Sequence, residues 1–344
     1  MEQFLLNTPI RIVQLSGPQG RRVALVEEPQ LRLIAGFDSV FALANEAIAK
    51  QAPLSKIVLD HVSAQNLSYD DVYAQKSDWK LLPPADVPGA PERVLVSGTG
   101  LTHLGSARDR QAMHAETAVD ESKMTDSMKI FEWGRQKGRP AAGQIGIAPE
   151  WFFKGDGSML RGDSAPLEVP GYGEDGGEEA EIAAVYVTGP DGTPYRVGLT
   201  NGNEFSDHVF ERRNYLNLAG SKLRVCSIGP ELVIGHDFKD VAGKVQILRC
   251  DKVLWQKSIR TGEENMCHSL ANLEHHHFKF EGHRQPGRMH VHFMGADTLS
   301  FGEGVRLEAG DITEVAWDGF GRPLRNVIAT HPQQTQPVTV REMK

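Results

Sequence analysis

The chain predicts an α+β protein in which strands outnumber helices, and three features carry that expectation. Its opening segment alternates apolar and polar residues with period two between turn residues. The stretch after Pro149 is punctuated by glycines and short apolar runs, with helical spacing confined to brief segments. Strand and helix do not alternate regularly, as a doubly wound parallel sheet would require.

In chain order, Ile10–Gln14, Arg22–Val26 and Leu31–Ile34 read as strands, with Ser16-Gly17-Pro18-Gln19-Gly20 as the break between the first two. Asp38–Lys50 reads as a helix: Asp38 or Ser39 supplies the N-cap, and Phe41, Leu43, Ala44 and Ile48 form one apolar face. A second helix is expected over Ser68–Gln75. The run Leu82-Pro83-Pro84-Ala85-Asp86-Val87-Pro88-Gly89-Ala90-Pro91 reads as a linker, because its prolines remove backbone donors and favour extended chain. It is expected to divide the chain into a small N-terminal domain, 1–92, and a larger domain, 93–344. Beyond it, Arg93–Ser97 reads as a buried strand entering Gly98-Thr99-Gly100, and residues 107–137 as helical with a break near Asp120. Short helices are expected near Ser206–Arg213 and Asn265–His275.

Composition narrows the function. The chain has 344 residues, 40% hydrophobic and 24% charged, enough to bury a sizeable core. A formal charge of -8 without a Lys/Arg-rich block argues against a nucleic-acid partner. Three widely spaced cysteines (Cys226, Cys250, Cys267) form no CxxC pair and suggest neither a zinc knuckle nor a disulfide framework. No run reaches the ~18 apolar residues that span a bilayer, and Met1–Leu6 is unlike a signal peptide. A cytoplasmic protein with no membrane partner is expected.

The chemistry concentrates in Glu179-Ala180-Glu181, followed by Asn203-Glu204 and Ser221-Lys222. On a strand, Glu179 and Glu181 share a face. Side-by-side carboxylates repel unless a cation lies between them, and all-oxygen ligands suit Mg2+, Mn2+ or Ca2+ rather than zinc. A bare Glu-x-Glu also reads as a solvated strand face, Glu204 as a partner for an arginine, and Lys222 as a surface lysine. His275-His276-His277 reads as a polar helix end, since adjacent helical positions point about 100° apart. His290-Val291-His292 places two imidazoles on one strand face with no third ligand evident. Gly155-Asp156-Gly157-Ser158 matches neither common nucleotide-binding loop.

Taken in order, Phe152-Phe153-Lys154, Glu179-Ala180-Glu181-Ile182, Gly202-Asn203-Glu204, Ser221-Lys222 and Gly229-Pro230 resemble the fumarylacetoacetate hydrolase superfamily over roughly residues 95 to 327. Leu307-Glu308-Ala309-Gly310-Asp311 and Gly321–Asn326 look like its closing strands. Gly98–His103 and Glu274–His277 look like its AraD-like sugar-acid subgroup. The resemblance implies a mixed β-roll core with flanking helices beside the small N-terminal α/β domain, usually dimeric or of higher homo-oligomeric order. It implies Mg2+ or Mn2+ held by Glu179, Glu181 and Glu204, the last standing where the family usually has Asp. Lys222 matches the active-site lysine, and Lys154 a lysine near the substrate. Thr298 and Asn203 are the other expected substrate contacts. The family's His-x-x-Glu water activator has no simple match: the corresponding region reads Thr102-His103-Leu104-Gly105 and then His114-Ala115-Glu116. His103 and Glu116 are therefore the acid/base candidates.

The implied substrate is a small 2-oxo acid, chelated so that removal of a C3 proton yields an enolate the metal ion stabilises. A hydroxyl at C4 then leaves, converting a 2-keto-3-deoxypentonate to a 2,5-dioxo acid semialdehyde. The alternative is hydrolysis of a 2,4-dioxo acid to pyruvate and a hydroxy acid, and a second alternative is a non-catalytic oxo-acid-binding protein. The missing water activator favours dehydration.

Overall fold

The computed structural model describes residues 9–105, 107 and 125–343. Two sheets organise it. The larger has 13 strands, and its main path runs Val62–Ser68, Gln30–Ile34, Gly20–Glu27, Ile10–Gly17, Leu232–Ile234, Pro194–Asn203, Ala180–Thr188, Met289–Phe293, Val94–Gly100, Glu150–Asp156. The smaller has five: Lys252–Thr261, Val241–Arg249, Ile312–Trp317, Leu324–Thr330 and Leu167–Val169. The architecture is α+β, with mixed strand pairing: Met289–Phe293 lies parallel to Val94–Gly100 and antiparallel to Ala180–Thr188.

The three N-terminal strands form where the alternation places them, and Ser39 caps the Val40–Lys50 helix by accepting from Ala42 N. The second helix is shorter than expected, Tyr69–Tyr73, capped by Ser68. Ile10 to Ile12 pair with Leu232 to Ile234, so the N-terminal hairpins and the strands beyond the proline-rich segment share one sheet. That segment is fastened to the hairpins by Gln14, whose Nε2 donates to Pro83 O and to Asp86 Oδ1 (2.9 Å), while its Oε1 accepts from Val40 N.

Of the span 107–137, the described helix is Asp126–Lys137, capped by Thr125. The helix expected near Asn265–His275 starts later, at Leu270–Phe278, because Ser269 is its cap and accepts from Asn272 N. Among the described residues no helix is long and apolar enough to cross a membrane.

All nine residues of Ala180–Thr188 are buried, because both faces of this strand are covered. Ala183, Val185 and Val187 pack with Val40, Leu43 and Ala44 of the N-terminal helix. Ala180, Ile182, Ala184 and Tyr186 pack on the other side with Val245, Ile247, Val315 and Trp317 of the smaller sheet. Complete burial explains the near-continuous apolar run, which conceals the period of two. A carboxylate at the head of such a strand is held in a low-dielectric interior unless a partner compensates it.

Candidate metal centre

The ladder between Ala180–Thr188 and Pro194–Asn203 pairs Ala180 with Asn203 and Glu181 with Gly202. It continues past both strand ends: Glu204 N donates to Glu179 O at 3.0 Å, and Gly177 and Ser206 exchange two backbone bonds (2.9 and 3.0 Å). Glu179 and Glu181 reach one side by alternation, and the continued pairing brings Glu204 beside them. One carboxylate oxygen from each of Glu179, Glu181 and Glu204 lies within 4.8 Å of the others, and all three residues are buried.

Two ammonium groups enter this cage, both with side chains at 0% exposure. Lys222, at the end of the Leu218–Lys222 helix, donates to Glu179 Oε1 (2.5 Å), Glu204 Oε2 (2.5 Å) and Ser206 Oγ (2.9 Å). Its Nζ also lies 4.7 Å from the centre of the Phe152 ring. Lys154 pairs with Glu204 Oε1 and donates to Phe205 O at 3.0 Å. Phe152 and Lys154 share one face of the Glu150–Asp156 strand, and Phe153 between them is exposed.

Glu181 is the least compensated of the three. Burial, then Glu204, then Glu179 push its carboxyl well above the usual range, against the Gly295 N–H that donates to Oε2 at 2.6 Å. Gly295 adopts φ +98, and a β-carbon there would stand 1.9 Å from Thr102 Oγ1, so this contact needs glycine. The donor set fits a hard divalent cation: all ligands are oxygens, they converge, and they are buried with more negative charge than the two lysines neutralise.

The other expected residues fall around this centre in different ways. Asn203 Oδ1 accepts from Glu179 N (3.2 Å) and its Nδ2 donates to Thr313 Oγ1 (3.2 Å), so the amide holds the strand end in register. Thr298 is half-buried in the loop that follows Met289–Phe293. His103 is buried behind Gly295, with Nδ1 at 2.8 Å from Thr102 Oγ1 and Nε2 at 3.2 Å from Thr261 Oγ1. The Thr102 hydroxyl donates its proton to Met294 O, so it accepts from His103, which is the Nδ1–H tautomer. Burial lowers the His103 pKa to about 4, leaving a neutral ring at neutral pH. Glu116 and His114 lie outside the described residues.

Three residues at the centre went unrecognised in the sequence. Glu178 faces away from the cage and accepts from Ser300 N (2.8 Å) and Oγ (2.6 Å), tying down the loop that carries Gly295 and Thr298. Ser206 Oγ contacts both oxygens of Glu204 and receives Lys222. His208 Nε2 lies 3.0 Å from Glu179 Oε1. Burial disfavours the cationic form of His208, but Glu179 and Asp175 outweigh it and the pKa is raised. Ser206 and His208 follow directly on Asn203-Glu204, so their proximity was legible; their direction was not.

His277, His290 and His292 gather elsewhere. His277, at the end of the Leu270–Phe278 helix, meets His290 (Nε2···Nδ1 3.0 Å) and stacks near His292 (ring centres 4.5 Å apart). His292 is engaged at both nitrogens, by Ser97 and Thr99 at 2.8 Å each. These rings form a hydrogen-bonded core cluster.

No family model and no curated protein matches the chain. Solved structures do. A 2-keto-3-deoxyarabinonate dehydratase aligns with TM-score 0.68 and 16% identity, over 94% of this chain and 99% of that one. A 2-keto-3-deoxy-D-arabinonate dehydratase complexed with magnesium and 2,5-dioxopentanoate aligns with TM-score 0.67 and 17% identity, over 94% and 99%. A 5-carboxymethyl-2-hydroxymuconate delta-isomerase from Mycobacterium smegmatis aligns with TM-score 0.55 and 16% identity, over 93% and 100%. The chain thus shares the fold of these solved structures, in the form seen in 2-keto-3-deoxy-D-arabinonate dehydratase.

Proposed function

We propose that this protein is a divalent-metal-dependent hydro-lyase that dehydrates a 2-keto-3-deoxy sugar acid of the pentonate class to a 2,5-dioxo acid semialdehyde. The observation that carries this reading is the buried convergence of Glu179, Glu181 and Glu204 around the lysines Lys154 and Lys222. The similar 2-keto-3-deoxy-D-arabinonate dehydratase, complexed with magnesium and 2,5-dioxopentanoate, supports the same class of ligand. Glu179, Glu181 and Glu204 would hold Mg2+ or Mn2+, which when bound supplies Lewis-acid polarisation of the 2-oxo acid oxygens.

The chain's own groups account for the rest. Three carboxylates face two ammonium groups and the His208 ring, so a divalent ion held there would leave the centre positive and suited to a substrate carboxylate. Lys222 and Lys154 are drawn towards the cage by Glu179 and Glu204, placing two cationic donors where negative charge develops as the C3 proton departs. Loss of that proton and of the C4 hydroxyl, as water, leaves a C3–C4 double bond. Migration of the double bond to C4–C5 gives an enol whose carbonyl form is the C5 aldehyde. Lys222 is proposed as the ammonium that stabilises the enolate formed as the C3 proton leaves, and Thr298, on the loop Glu178 anchors, as the contact for the substrate carboxylate. His103 acts through Thr102 and Gly295 on the position of Glu181. Its two nitrogens are engaged by Thr102 and Thr261, which favours dehydration over a hydrolysis that requires an oriented water.

Purified protein supplied with Mg2+ and a 2-keto-3-deoxypentonate should form the semialdehyde. Pyruvate released from a 2,4-dioxo acid, with no semialdehyde from the deoxy acid, establishes the hydrolase instead.

A further inference from the structure

We propose that His208 is the positioning residue that orients Glu179 as a ligand, and that Gly177 is the seat that lets it do so; this rests on the metal-site reading above. His208 opens the His208–Arg213 helix, whose cap Asp207 accepts from Phe210 N. From there its ring folds back across the chain. Nε2 reaches Glu179 Oε1 at 3.0 Å, on the same oxygen that receives Lys222. A carboxylate oxygen accepts, so the imidazole donates from Nε2. The ring is 1% exposed and packs edge-on to Phe301, with centroids 5.1 Å apart.

The other edge of the ring explains the glycine. His208 Nδ1 is buried and has no hydrogen-bond partner among the described residues. It lies over Gly177, where an added β-carbon would stand 2.1 Å from Nδ1 and 2.4 Å from Cε1. Gly177 cannot retreat, because both of its backbone groups are bonded to Ser206. The backbone bridge that brings Glu204 to Glu179 therefore also presses the imidazole onto Glu179. With His208 and Lys222 on Oε1 and Asn203 on its backbone N–H, Glu179 is held from three directions. Hydrogen-bonded partners behind a metal ligand typically contribute 10–100-fold to ion affinity or activity.

The test is Mn2+ binding, followed by the ion's paramagnetic signal and by the ion-induced rise in Tm, for wild type, His208→Leu, His208→Gln, Gly177→Ala and Glu181→Gln. Gln keeps a donor near the Nε2 position; Leu keeps bulk alone. We expect His208→Leu and Gly177→Ala to weaken Mn2+ binding by about 10–100-fold. His208→Gln should recover most of the loss, and Glu181→Gln should abolish binding. Recovery by Gln separates positioning from simple loss of packing, and circular dichroism confirms that the variants fold. Wild-type affinity in His208→Leu, with Glu181→Gln still defective, overturns the role of His208 alone. Equal weakening in Leu and Gln variants that fold also overturns it. Absence of Mn2+ binding by the wild type overturns the metal-site reading itself.

Discussion

Replacing Glu181 by Gln should separate two effects of opposite sign. In the ion-free protein the charge on Glu181 is a liability: it is 1% exposed, and its ligand oxygen lies within 4.8 Å of those of Glu179 and Glu204. At an effective dielectric of about 20, each such carboxylate pair repels by roughly 3–4 kcal/mol, and the attraction of Lys222 returns only part of it. The neutral amide should therefore stabilise the ion-free fold, by on the order of 1–3 kcal/mol. For chains of a few hundred residues, that is a Tm increase of roughly 2–4 °C per kcal/mol at most. The same substitution removes one of three anionic ligands, so the Mg2+-induced Tm rise expected of the wild type should vanish.

The pH dependence carries the same sign. The folded-state pKa of Glu181 lies above its unfolded value, so the folded protein binds the extra proton. Its contribution in chelator thus improves as pH falls from the raised folded value towards about 4.3 and is lost as pH rises. Thermal unfolding in chelator and in Mg2+, at several pH values, measures all three effects. A lower Tm for Glu181→Gln in chelator, together with a retained Mg2+ shift, would refute the account of Glu181 as a destabilising charge awaiting a cation.

Other outcomes test the surroundings. Gly295→Ala should destabilise the fold by about 2–3 kcal/mol and weaken Mn2+ binding, since the new methyl meets Thr102 and disturbs the N–H on Glu181; unchanged urea unfolding would contradict this. Burial lowers the pKa values of His290 and His292 to about 3, so the stability they confer as neutral groups is lost as pH falls from about 6.5 towards those values. Urea titrations at pH 7 and pH 4.5 should show a loss of on the order of 2 kcal/mol per imidazole, reduced in His292→Gln; equal acid sensitivity in the two proteins would refute it. Of the three thiols, Cys250 is exposed, whereas burial pushes Cys226 and Cys267 up to about 12. A thiol-specific disulfide reagent should therefore titrate one group in the native protein and three after denaturation, and rapid reaction of a second native thiol would count against the packing around Cys226 or Cys267.

Much of this protein is legible in its residues alone. The N-terminal strands follow from alternation, Ser39 and Ser68 announce their helices, and the ordered acids and lysines mark one centre because strand periodicity is a local property. Glu179 and Glu181 must share a side wherever the strand goes. What alternation leaves open is what each side meets. The same period sends Glu178 to the opposite side, where only tertiary packing supplies Ser300, 122 residues away. His277, His290 and His292 converge because a helix end docks on one face of the large sheet, an event no window of sequence contains. His208 turns back onto Glu179 because the Gly177–Ser206 bridge draws two segments together. Residue type and spacing determined which groups have the chemistry to hold a cation; the packing of distant strands decided which of them aim at it, because the direction of a buried side chain is set by the neighbours that exclude every alternative.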